Sequence, residues 1–430
     1  MKKYELTEET IVDFGVTLHR IRYLYGIPKL NIEQGDLGGY VQSEENLSQE
    51  GLCLIKDGAI VTGNAFVSED AVISGNAWVG DNAHICGNAK VSHSAIARGD
   101  TVIRGNAHIW GRAIVTGCSV IEGSVTAYND ARISHDQEPV LPHQAHLSGD
   151  VKVHDNAVVS GQSILKDSVT VCEKAKVTDR ALIEDASHIS GTSVISGDAH
   201  VHGDATIRKN SRIIGNAVVK ENSSISDATV SGRAQVGAKS KLIGNITATD
   251  DAYVENSVIK GNVLLKDKAI VRNARLVGDM TFRDKALLNT VELNGKNILV
   301  QGDAYLYVVE LKEGKDIEIR DKARLSYLAI GKLETAWIGE SAVLQGHSQL
   351  ERSAITSTNL TIGGEAILDI YFSIMGQNII IFDDAFIRGR VNVGNNVTMK
   401  EMASVVNNNP LPHYFQLKDV KMSMDNAIAL

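Results

Sequence analysis

The stretch Ala59–Asp136 reads AIVTGN-AFVSED-AVISGN-AWVGDN-AHICGN-AKVSHS-AIARGD-TVIRGN-AHIWGR-AIVTGC-SVIEGS-VTAYND-ARISHD, thirteen six-residue units without insertion or deletion. Position one is Ala in ten units and Thr101, Ser119 or Val125 in the others; position three is Val or Ile in eleven, with Ala97 and Ala127 the exceptions. The pattern breaks for eight residues, resumes at Ala145 and holds for fourteen more units, to Ala228, with an aliphatic third position every time. A period of six fits neither a helix, at about 3.6 residues, nor a simple strand, at about 2. It fits a solenoid whose short strands turn a corner every six residues. Gly-Asn and Gly-Asp at positions five and six, as in Gly75-Asn76 and Gly197-Asp198, suit the corner because both residue types tolerate positive φ. The β-branched third residue points inward from a short strand. Three units make a triangular coil of about eighteen residues, and coils stack at about 4.8 Å. The fold expected is therefore all-β, a parallel β-helix.

Working outward, residues 1–51 are not hexads. Thr17–Leu24 reads as a strand, followed by a turn at Gly26-Ile27-Pro28. A solenoid end exposes an unpaired strand edge and an open apolar core, so this segment is read as an N-terminal cap. Residues 52–228 are the regular β-helix, and 137–144, holding Pro139 and Pro142, are a loop extruded at a corner. All five prolines fall outside the proposed coils, as expected of a residue that cannot donate to a strand ladder. Past Ala228 the hexads blur, yet a small residue after a polar one recurs at Ala234, Ala252, Ala269, Ala286, Ala304, Ala323, Ala342, Ala366, Ala385 and Ala403, in steps of 18, 17, 17, 18, 19, 19, 24, 19 and 18. One corner per coil survives while the others loosen, and the step of 24 implies an extra loop near Gly346–Arg352. Residues 229–406 are accordingly a degenerate continuation, giving a rod of roughly nineteen coils and about 90 Å. Residues 407–430, with Pro410 and Pro412, form a second cap or a tail.

Composition excludes several classes. A net charge of −9 argues against a nucleic-acid groove, which needs a basic stripe. Four cysteines show no Cys-x-x-Cys pair and no disulfide framework. The first residues lack the apolar core of a signal peptide, and no run approaches the ~18 apolar residues of a membrane span. Reduced thiols in a cytoplasmic protein, with no membrane partner, are the expectation.

The unit Val67-Ser68-Glu69-Asp70-Ala71-Val72 resembles the hexapeptide repeat of the left-handed β-helix acyltransferases: aliphatic, small or acidic, two free positions, small. The resemblance spans about 170 residues clearly and about 180 more weakly. Left-handedness is implied by the resemblance alone, since parallel crossovers are ordinarily right-handed. The opening segment, with Gly38-Gly39-Tyr40-Val41 and Asn46-Leu47-Ser48-Gln49-Glu50-Gly51, is similar to the start of the YdcK-type acetyltransferase-like proteins of enterobacteria. The resemblance implies transfer of an acyl group from acetyl-CoA or another acyl-CoA to a hydroxyl or amine. It also implies a His general base near an extruded loop between the subunits of a trimer. No resident cofactor is implied.

Four of the thirteen histidines lie around the interruption: His135, His143, His146 and His154. An imidazole near neutral pH suits a general base. His143 or His146 is the expected base, with His135 as orienting partner, against the plainer reading of solvated corner and strand residues. Counting coils places Trp110, Tyr128, His154 and Cys172 at one outward position on successive coils, a ladder that either binds an acyl chain or ring or simply stabilises strand pairing. His200 and His202, with Glu184 and Lys220 in the coils on either side, are too few for a metal site, and no metal is expected. No phosphate-binding Gly-rich loop opens a helix. Two functions remain: a CoA-dependent acyltransferase, trimeric if so, and a non-catalytic rod serving as scaffold, polymer subunit or binding surface, which the great length favours.

Overall fold

A computed structural model describes residues 2–134 and 144–266 continuously, and beyond them chiefly a succession of strands ending at Ser404–Val406. The extruded loop therefore lies outside the described residues except for Gln144, and so do Gly346–Arg352 and the segment 407–430. The chain forms two compact units, Met1–Gly215 and Asn216–Leu430. Both are parallel β-helices.

In the first unit each hexad supplies one strand, mostly of two residues, and strands pair in parallel with those eighteen positions away. Three ladders result. One runs through Leu54, Val72, Lys90, His108, Thr126, Lys152, Thr170, His188 and Thr206. A second runs through Tyr40, Ile60, Trp78, Ile96, Ile114, Arg132, Val158, Lys176, Val194 and Arg212. The third runs through Phe66, His84, Val102, Val120, His146, Ile164, Leu182 and His200. Val120 pairs with His146, 26 positions on, so the ladder keeps the same register on both sides of the eight-residue insertion.

The hexad positions acquire distinct physical roles. Positions one and three point inward and are buried, from Ala59 and Val61 to Ala205 and Ile207. Where position one is Ser or Thr, its hydroxyl donates to the carbonyl three residues back, as Ser163 does to Ser160 (2.8 Å) and Thr101 to Arg98 (2.7 Å). A buried hydroxyl is tolerated there because it is satisfied. Among the described residues of this unit's hexads, position five carries the positive φ and position six does not. At position five Gly alternates with Asp, Glu, Asn, His or Lys in the left-handed region. A carboxylate there accepts the backbone N–H of position five in the next coil. Asp179 takes that of Gly197 (2.8 Å), Glu69 that of Gly87 (2.8 Å) and Asp185 that of Gly203 (2.7 Å). The corners are thus stapled coil to coil.

The N-terminal segment builds an antiparallel sheet that merges into the second ladder. Strands β1 (Tyr4–Asp13) and β2 (Val16–Tyr23) form a hairpin, β2 pairs with β3 (Leu37–Val41), and β3 runs parallel to Ile60–Val61. Buried Tyr23 and Tyr4 face the first coil. The Tyr23 hydroxyl donates to Ile55 O and accepts from Ile55 N, each at 3.0 Å, which satisfies backbone groups of a coil with no predecessor. Gly38 and Gly39 let the two sheets meet: a Cβ would stand 2.5 Å from Ile55 O and 2.4 Å from Ala59 O respectively.

In the second unit the strands lengthen, as in Ser224–Val230 against Lys241–Ala248. One ladder runs through Val218, Gln235, Tyr253, Ile270, Leu287, Tyr305, Arg324, Val343, Ile367, Phe386 and Ser404. From Gln235 on, each ladder residue follows an anchor alanine, so the uneven alanine steps, 24 included, are the strand steps. Ala234, Ala252, Ala269 and Ala286 are buried.

Candidate functional site

The residues singled out in the sequence lie on the first unit. His135 and His143 fall outside the described residues. His146 opens the strand His146–Leu147 immediately after the inserted segment. Its Nε2 lies 2.9 Å from Glu122 Oε1, and the other oxygen of Glu122 takes Arg104 Nη2 at 2.5 Å. Arg104, and then His146, hold the Glu122 carboxyl below its usual range. A neutral His146 donating from Nε2 to Glu122 would keep a free lone pair on Nδ1, the arrangement of an oriented base.

The same arrangement recurs elsewhere. His200 Nε2 lies 2.8 Å from Glu184 Oε1, and Glu184 is paired with Lys166 at 2.5 Å. Lys166, followed by His200, lowers the Glu184 carboxyl, with burial opposing. Three further histidines follow suit: His84 Nε2 is 3.1 Å from Ser68 Oγ, His108 Nε2 is 3.3 Å from Ser92 Oγ, and His188 Nε2 is 3.8 Å from Cys172 Sγ. All five occupy position two, and all five place Nε2 on the position-four side chain of the previous coil. The offset is 16 residues, or 24 across the eight-residue insertion. Pleating explains it: position two and the preceding coil's position four are diagonal neighbours on one face. This rule was open to sequence reasoning, as a position-two His sixteen residues after a polar position four, but it was missed.

The ladder residues do come together. Trp110 and Tyr128 stack with centroids 4.8 Å apart and planes 7° from parallel, and Tyr128 and His154 at 4.7 Å and 11°. Cys172 takes the same position in the next coil. Tyr128 is therefore covered on both ring faces, and only ring edges remain for a ligand. His154 Nδ1 lies 2.9 Å from Asp155 Oδ2. Asp155 is one of the corner carboxylates: it also accepts from Asn129 Nδ2 at 2.9 Å. Burial, with Glu173 and Asp155 nearby, pushes the Cys172 thiol up to about 11, so it stays protonated and weakly nucleophilic at neutral pH.

His202 stacks on His200 at 4.4 Å, and among the described residues no group of three or more His, Cys, Asp or Glu is placed to hold a metal. Among them, too, no helix is long and apolar enough to cross a membrane. The fold defines a parallel β-helix protein. Compared with known proteins, the chain matches no family model and no curated relative.

Proposed function

We propose that this chain is a non-catalytic β-helix scaffold, a rigid repeat surface rather than an enzyme. The observation that carries it is the shared geometry of the five position-two histidines. The Glu122–His146 pair, which resembles a catalytic dyad when met alone, has a counterpart of the same form in Glu184–His200, three coils on. Both are accounted for by coil-to-coil packing. The ring ladder has the same explanation, since Trp110, Tyr128 and His154 stack face to face across successive coils. Repeat surfaces of this kind serve as extended platforms. In the test, the protein is incubated with acetyl-CoA and a panel of hydroxyl and amine acceptors, and free CoA is measured. The expected result is release no faster than without protein. Acceptor-dependent release abolished in His146→Ala would overturn the reading.

A second reading is favoured by one observation: of the two Glu–His pairs, only Glu122–His146 adjoins the inserted segment. In it, His146 takes the proton of an acceptor hydroxyl or amine as that group attacks an acyl-CoA thioester carbonyl; the C–S bond then breaks and CoA leaves as the thiol with the proton that His146 returns, Glu122 and Arg104 positioning the imidazole. A homotrimer would complete the site.

A further inference from the structure

Lys3, on the residue just before β1, is fully buried. Its ammonium nitrogen reaches Glu50 O at 3.3 Å, Gly51 O at 3.5 Å and Cys53 Sγ at 3.0 Å. Among the described residues no carboxylate pairs with it. A buried lysine without a counter-ion is costly and demands an explanation. Cys53 is itself buried, and its sulfur is within 3.5 Å of the Ser48 and Glu50 carbonyls. Burial pushes the Cys53 thiol up, and Lys3 opposes that shift. An amine nitrogen and a thiol sulfur are thus held in contact, fifty residues apart in sequence. They join the start of the chain to the first coil.

We propose that Lys3 and Cys53 form an oxidative crosslink site, closed by peroxide into an S–N bond. The first step oxidises the thiol: Cys53–SH and hydrogen peroxide give Cys53–SOH and water. In the second, the Lys3 ammonium gives a proton to water and the amine so formed attacks the sulfenic sulfur. The S–N bond forms, the S–O bond breaks, and the departing hydroxide takes a proton from nitrogen to leave as water. The net change is the loss of two hydrogens and the reduction of one peroxide to two waters. Peroxide gains access when β1 opens locally from the first coil. A thiol reductant reverses the bond. Closed, it pins the N-terminal sheet to the solenoid by removing chain entropy from the opened state.

The experiment is peroxide treatment of the full-length folded protein, then non-reducing digestion and mass spectrometry. The expected product is a peptide containing Lys3 joined to one containing Cys53, lighter by two hydrogens than their sum. It disappears with dithiothreitol and is absent from Lys3→Arg. It also fails to form when the protein is unfolded in urea before oxidation, which separates native contact from random reactivity. Cys53 recovered as free thiol or sulfinic acid with no link to Lys3 overturns the proposal, as does equal crosslinking in the unfolded chain. Neither outcome depends on whether the solenoid is a scaffold or an enzyme.

Discussion

Val158 and Val159 are chain neighbours with opposite surroundings. Val159 is fully buried, while Val158 faces outward between Arg132 and Lys176 of the adjoining coils. Val159→Asp should cost about 3–5 kcal/mol, because it buries a charge with no partner. Val158→Asp should stay within about 0.5 kcal/mol, its carboxylate lying between two cations. Urea denaturation of the two variants checks this, and equal losses would contradict the inward phase of position three. Gly39→Ala should cost about 1–3 kcal/mol, since its Cβ would meet a backbone oxygen that cannot swing aside. Histidine gives a pH signature. Burial first, then Lys90 and His93 beside His108 and His154 beside His188, lowers both below the usual imidazole value, with Glu173 opposing at His188. The unfolded chain then takes up protons first as pH falls. Their contribution is complete above about pH 6.5 and is lost as pH drops from there through the folded values. Melting temperature measured from pH 8 to 5 should decline less steeply in His188→Gln.

The corner is the element whose sequence signal is least complete. The period, the inward aliphatics and the small first residue were legible because each repeats in every unit. The carboxylate staples were not, because their partner is a backbone N–H in another coil and the signal is a pair, Asp179 with Gly197 or Glu69 with Gly87, spaced eighteen apart. Asp179→Asn keeps an acceptor and a residue at ease in the left-handed region, and should be near neutral. Asp179→Ala loses both and should lower stability by about 1–2 kcal/mol in thermal melting. The stacked ladder was legible from coil counting, because equal coil length makes register arithmetic. Its consequence was not: counting places Trp110, Tyr128 and His154 in one column but does not say that their faces cover one another. Tyr128→Ala should cost about 0.5–1.5 kcal/mol beyond the lost burial, by the same measurement.

For the whole molecule, the anchor alanines carried the fold into the second unit, where hexads fail, because one tight corner per coil is enough to set the strand spacing. Function was far less legible. A histidine looks catalytic when its neighbours are unknown, and a solenoid brings neighbours together at an offset that only stacked coils reveal. His146 stands just past the interruption at 137–144, but its partner is Glu122, from the coil before, by the same geometry that pairs His200 with Glu184. The most direct test is a pair of double-mutant cycles, Glu122→Ala with His146→Ala and Glu184→Ala with His200→Ala, read as stability by denaturation. If both pairs are ladder contacts, each cycle returns a favourable coupling of the same size, about 0.2–1 kcal/mol for partly exposed polar pairs. A cycle in which Glu184–His200 couples while Glu122–His146 contributes nothing, or destabilises the fold, would mark His146 as held for chemistry and contradict the scaffold.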